Sequence, residues 1–137
     1  MNDFVMDMSL FSGSLLVDVK LWSKKVNAYK TVSLTLDTGA SITVISSDIL
    51  FRLGYDVALG KDKVITTASD VIYVKEIAVE NFKMGNYEAG EMKFYAHSFP
   101  SENFTCGVIG LDILSRFDIN LLFSKRKIEF TYIGEAI

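Results

Sequence analysis

The sequence predicts an all-β domain with one or two short helices. Three observations carry that reading. Apolar and polar residues alternate with a period of two over much of the chain, polar turn signals recur between the alternating runs, and only two brief stretches bear the marks of a helix. The 137 residues, 50% of them hydrophobic, suffice for one buried core and scarcely for two, so a single domain over residues 1–137 is expected.

A first strand is expected around Phe4 to Leu10, followed by a turn at Ser12-Gly13-Ser14. Val17, Val19 and Leu21 interleave with Asp18 and Lys20, and Val32, Leu34 and Leu36 interleave with Ser33 and Thr35. These are strands with one buried face, joined through the turn-like Ser23-Lys24-Lys25-Val26-Asn27. Asp37-Thr38-Gly39-Ala40-Ser41 reads as a turn and Ile42-Thr43-Val44-Ile45 as a short β-branched strand. Ser46 or Ser47 is suited to cap a brief helix reaching Leu53, with Gly54 as its stop. Strand patterns at Val64 to Thr67 and Val71 to Val79 flank a hairpin tip at Ala68-Ser69-Asp70. Phe82 to Tyr87 reads as a turn, Met92 to Tyr95 as a strand, and His97 to Thr105, which holds Pro100, as a loop. A strand ending in Gly107-Val108-Ile109-Gly110 follows, then a helical turn or two from Leu111 to Phe117. The last element is a hairpin pairing Ile119 to Phe123 with Lys127 to Tyr132, wet on one face because Lys127, Glu129 and Thr131 alternate with apolar residues.

Composition excludes several classes of function. Lys and Arg number 14 against 17 Asp and Glu, so there is no broad basic face to hold a phosphate backbone and nucleic acid is not an expected partner. Apolar runs are broken every few residues, by Asp18, Lys20, Asp37 and Asp48 for instance, and none approaches the ~20 residues of a membrane-spanning helix. The opening Met1 to Asp7 is acidic where a signal peptide would be basic, so export by that route is not expected. One cysteine, Cys106, closes no disulfide within the chain and suits a reducing compartment, which reads as cytoplasmic.

The informative motif is Leu36-Asp37-Thr38-Gly39-Ala40-Ser41. A carboxylate set on a loop by a rigid strand binds and deprotonates water, the glycine lets the backbone approach a substrate, and the threonine hydroxyl locks the loop. Amide cleavage without a metal or a covalent nucleophile needs two carboxyls sharing one proton, so that one activates water while the other protonates the carbonyl oxygen. The other aspartates are followed by Phe4, Met8, Val19, Ile49, Val57, Lys63, Val71, Ile113 and Ile119, so no second Asp-Thr-Gly or Asp-Ser-Gly exists in the chain. The partner acid is therefore expected to be Asp37 of a second copy.

Leu36 to Ser41, followed by Ile42 to Ile45, resembles the active-site segment of the retropepsins, the retroviral and retroviral-like aspartic peptidases. Val108-Ile109-Gly110-Leu111-Asp112-Ile113-Leu114 is similar to the hydrophobic-hydrophobic-Gly segment that opens the C-terminal helix of that family. The likeness runs from about Leu15 to Tyr132 and implies a closed β-barrel of the acid protease type, one lobe per chain. It implies a homodimer with Asp37 as the catalytic acid, Thr38 hydrogen-bonding across the dimer and, with Gly39, supporting the loop. Gly39 and Ala40 would present backbone groups to an extended peptide, under a flap formed by the hairpin Val64 to Val74 with Ala68, Ser69 and Asp70 at its tip. That tip departs from the glycine-rich tips of many members. The implied activity is an endopeptidase acting on peptides or proteins with no cofactor. The alternative on the same fold is a catalytically silent dimerisation or peptide-binding module.

Other chemistries fit less well. Asp112 lies inside the second helical stretch, where a structural hydrogen-bonding role is the simpler reading than a second acid. His97 is the only histidine, and a serine or cysteine triad would have to be built around it from a proline-bearing loop. Cys106 flanks an apolar strand and reads as packed. No His, Cys or carboxylate group has metal-ligand spacing, and Lys125-Arg126-Lys127 reads as a solvated hairpin turn. Actin-like phosphotransferases also set an acid beside Thr and Gly, but need far more chain and further phosphate loops.

Overall fold

The computed structural model describes residues 3–66, 69–99 and 106–135. The strands are β1 (Phe4–Asp7), β2 (Ser9–Phe11), β3 (Ser14–Ser23), β4 (Ala28–Leu36), β5 (Val44–Ser46), β6 (Lys61–Thr66), β7 (Val71–Met84), β8 (Tyr87–His97), β9 (Gly107–Ile109), β10 (Phe117–Leu122) and β11 (Lys127–Tyr132). Two short helices, α1 (Ser47–Arg52) and α2 (Leu111–Leu114), follow β5 and β9. The all-β expectation holds, because the alternating residues do face a common core: Val17, Val19, Leu21 and Leu34 are at most 1% exposed.

The strands form two sheets, one of three strands in the order β1-β11-β10 and one of eight in the order β2-β3-β4-β9-β5-β8-β7-β6. The larger sheet curls until β3 meets β7 at a single rung, Lys20↔Lys83. Its central feature is β9, which inserts between the strands on either side of Asp37. It runs parallel to β4 (Thr35↔Val108, Leu36↔Ile109) and antiparallel to β5 (Val44↔Val108). Phe82 and Phe94 meet edge to face in the core, at 5.1 Å between centroids.

Several boundaries differ from the sequence reading, each for a tertiary reason. The expected first strand is two strands in different sheets. Met8 between them is 5% exposed, and its N–H donates to the Arg126 carbonyl at 3.0 Å, which ends one pairing before the next begins. The expected turn at Phe82 to Tyr87 shrinks to Gly85-Asn86, since Phe82 and Met84 are fully buried and a register shift between Val79 and Phe82 reorients the strand. The second helix stops at Leu114 instead of Phe117. Phe117 joins a strand and packs its ring edge-on against Phe4, Tyr87 and Phe130. The strand expected from Ile42 starts at Val44, because the backbone N–H of Thr43 goes to a side chain. Ser46 stands at the N-terminus of α1 without a side-chain capping bond. The loop expected at His97 to Thr105 lies outside the described residues from Pro100 onward, as does Ala68 of the hairpin tip.

Candidate active site

Asp37 leaves the end of β4 with its N–H donating to the Ile109 carbonyl of β9 at 3.0 Å. The next residues fold into a tight turn, the N–H of Ala40 donating to the Asp37 carbonyl at 3.2 Å. The Gly39 N–H donates to Asp37 Oδ1 at 2.9 Å, which orients the carboxylate and leaves Oδ2 without a partner among the described residues. Asp37 is half-buried, while Thr38 is exposed and its hydroxyl has no hydrogen-bond partner among the described residues.

A second layer holds this turn. The N–H groups of Leu111 and Asp112, in the first turn of α2, donate to the carbonyls of Ala40 and Ser41 at 2.8 and 3.2 Å. Asp112 accepts the Thr43 N–H at 2.9 Å on one oxygen and the Thr43 hydroxyl at 2.7 Å on the other. Thr43 Oγ1 in turn accepts the Gly110 N–H at 3.1 Å, and Thr43 is fully buried. A carboxylate with this many donors is committed to structure, which agrees with the reading of Asp112 as a brace. Gly110 is required by contact: a Cβ there would lie 2.5 Å from the Ile42 carbonyl oxygen and 2.7 Å from that of Ala40. Behind the loop, burial, then the negative charges of Glu76 and Asp112, raise the pKa of Tyr95 above the ordinary phenol value.

The carboxylate looks onto a cavity of about 480 Å³ whose floor includes Asp37, Gly39 and Ala40. Its walls are aliphatic: Ile42, Val44 and Val108 from the sheet beside the loop, and Ile65, Ile72 and Val74 from the β6–β7 hairpin. The structure thus brings together three of the residues singled out from sequence and the stems of the hairpin. Ser69 and Asp70 are exposed at the tip and are not among the described wall residues, and Asp70 Oδ1 accepts the Val71 N–H at 2.8 Å. The aliphatic walls were missed by sequence reasoning, although a signal existed. Ile65 and Ile72 are cross-strand partners, so alternation counted from the hairpin tip places both on one face.

His97 and Phe99 also line the cavity, their rings edge to face at 5.2 Å. His97 Nδ1 lies 3.2 Å from the Tyr73 carbonyl oxygen, and no Ser or Cys side chain among the described residues hydrogen-bonds to the ring. Cys106 is a free thiol packed against the core. Among the described residues no group of three or more His, Cys, Asp or Glu side chains is placed to hold a metal ion, and no helix is long and apolar enough to cross a membrane.

Comparison with known proteins agrees with this geometry. The sequence profile of the family described as "gag-polyprotein putative aspartyl protease" matches residues 23–116, which include both the Asp37 turn and α2. No curated protein matches the sequence. Among solved structures, a retropepsin-like aspartic protease from Rickettsia conorii superposes with a TM-score of 0.68 at 16% identity, covering 96% of this chain and 91% of that one. The retroviral protease-like domain of Ddi1 from Leishmania major gives 0.53 at 14% identity, over 89% of this chain and 95% of that one. Conglutin gamma, a basic 7S globulin from lupine seeds, gives 0.54 at 12% identity, with 96% of this chain matching 50% of that one. At these identities the likeness establishes a retropepsin-like fold.

Proposed function

The chain belongs to the gag-polyprotein aspartyl protease family, and from that premise we propose that it is an aspartic endopeptidase whose catalytic centre forms from Asp37 of two copies. One observation carries the reading. The chain holds a single Asp-Thr-Gly, and that turn is braced on two sides yet presents a half-buried carboxylate to an aliphatic cavity open to a ligand.

With two such turns side by side, the carboxyls share one proton, since like charges about 3 Å apart do not both stay ionised. The ionised Asp37 takes a proton from a bound water as its oxygen attacks the peptide carbonyl. The protonated Asp37 delivers its proton to the carbonyl oxygen, giving a tetrahedral diol. On collapse the C–N bond breaks, the nitrogen receives a proton from one carboxyl of the pair while a diol hydroxyl returns its proton to the other, and an acid and an amine leave with one shared proton restored to the pair. Thr38, exposed at the turn, ties the two loops across the dimer. Gly39 and Ala40 offer backbone groups to an extended substrate, and the β6–β7 hairpin, with Ser69 and Asp70 towards its tip, serves as the flap over it. The aliphatic walls favour apolar side chains beside the cut bond. No cofactor takes part, each 137-residue chain contributes one domain, and the unpaired Cys106 suits the cytoplasm.

The test is incubation of the purified protein and Asp37→Asn with a diverse peptide library from pH 4 to 7, with cut sites read by mass spectrometry. Cleavage lost in the variant supports the reading and supplies the specificity. No cleavage by either form, with the dimer present, moves the assignment to a silent peptide-binding module.

A further inference from the structure

Resting on the reading of the Asp37 cavity as a peptide site, we propose that His97 sets its specificity, drawing an aspartate or glutamate side chain of the peptide to one end of an otherwise aliphatic wall. Of the described residues that line the cavity, only Asp37 and His97 carry ionisable side chains, the one acidic and the other basic. Such a cavity takes apolar side chains over most of its length, and its single basic group is the place where an acidic one finds a partner.

The strand register gives the spacing. Val44 of β5 lies level with Val108 of β9 and with Tyr95 of β8, and β9 carries Val108 there from its pairing with the end of β4, where Asp37 leaves the sheet. His97 pairs with Ser46, two residues beyond Tyr95 along β8, and so stands about 7 Å further along the wall. An extended peptide returns its side chains to the same face over the same interval. A side chain that meets His97 is therefore two residues removed from one that packs against Val44 and Val108.

The ring is held ready for this contact. His97 Nδ1 lies 3.2 Å from the Tyr73 carbonyl oxygen of β7. A carbonyl accepts and does not donate, so Nδ1 carries the proton of that bond, and Nε2 keeps no partner among the described residues. Phe99 packs against the ring edge to face at 5.2 Å. Histidine gains its charge on passing from neutral to mildly acidic solution, the range in which two carboxyls sharing a proton do their work. The charged groups around it are already engaged. In the adjoining depression, which shares Val74 and His97 with the cavity, Lys75 of β7 is paired with Asp62 of β6 at 2.6 Å. Ser46 of β5 and Ser47 of α1 are neutral, and Asp37 holds the Gly39 N–H. A carboxylate brought by the peptide supplies the counter-charge that the ring lacks.

Peptide capture tests this without relying on cleavage. Asp37→Asn protein is used to select binders from a random peptide library at pH 5.5, and the bound sequences are read by mass spectrometry. Aspartate or glutamate is expected at one fixed spacing from the apolar residues of the captured peptides. Exchanging that glutamate for glutamine is expected to weaken binding about fivefold by fluorescence anisotropy, the scale of a half-exposed ion pair. Adding His97→Leu is expected to abolish the difference between the two peptides, and adding His97→Lys to restore it, whereas a ring that only braced β7 would weaken both peptides alike. Absence of an acidic preference in the Asp37→Asn protein, where residue 97 is untouched, overturns the proposal, as does a preference that His97→Leu leaves intact. Cleavage by the parent protein separates the two readings. Capture that favours the acidic peptide, with no cleavage, defeats the peptidase and leaves His97 in its role, whereas Asp37-dependent cleavage at sites without an acidic preference does the reverse.

Discussion

Asp37 owes its orientation to one donor, the Gly39 N–H, and its setting to the strand that ends beside it. Removing its charge and basicity while keeping its shape isolates its role. Asp37→Asn is expected to lower kcat by about 10³-fold or more, the scale of lost general acid and base catalysis, with an unchanged melting curve. Peptide hydrolysis by the parent protein is expected to follow a bell-shaped pH profile on the acid side of neutral, as measured by initial rates. Tyr55 is a second informative residue, remote from the cavity. It is buried, its hydroxyl donates to the Trp22 carbonyl at 2.7 Å, and it accepts the Glu80 N–H at 3.2 Å. Burial outweighs that last hydrogen bond and raises the Tyr55 pKa above 10.0. A raised folded-state value contributes stability that is whole below the unfolded value near 10 and is lost as pH climbs through the folded one. Tyr55→Phe is expected to cost about 2 kcal/mol at pH 7 from the unpaired backbone groups, and to make the alkaline loss of stability above about pH 10 shallower, both read by urea unfolding.

At the scale of elements, the turn, β9 and α2 act as one unit, because their contacts are backbone hydrogen bonds with Thr43 and Asp112 as the link. Thr43→Val keeps the volume and removes the hydroxyl that serves both Asp112 and Gly110. It is expected to destabilise the fold by about 2 to 3 kcal/mol, read by thermal or urea unfolding. Gly110→Ala puts a methyl against two backbone oxygens, so the loop must shift. Cleavage is expected to fall more steeply than stability, which drops by about 1 to 3 kcal/mol. Much of this unit was legible in sequence: the Asp37 turn, the Val108 to Leu114 segment and the structural part played by Asp112. The ends of elements were less so. Phe117 reads equally well in helix or strand until Phe4, Tyr87 and Phe130 surround it, and Phe82 looks like turn material until the bulge beside it buries the ring.

For the whole molecule, the proposed centre shared by two subunits would make an inactive subunit dominant. When the parent protein is mixed with an equal amount of Asp37→Asn and allowed to exchange, activity per mole of total chain is expected to fall to about one quarter, against about one half if each chain works alone. Titration of the variant into a fluorogenic peptide assay reads this directly. The sequence by itself determined which residues face inward and which aspartate sits in a tight turn at the end of a strand, since a period of two and a strand-turn signal are local properties of the chain. Tertiary structure alone decided that β9 lies between β4 and β5, that Ile65, Ile72 and Val74 line the cavity onto which Asp37 opens, and that β1 binds β11 of its own chain. Alternation fixes the face of a strand but not its neighbour. Neighbours are chosen by contacts between distant residues, such as those that join Thr43 to Asp112 and Phe4 to Phe130.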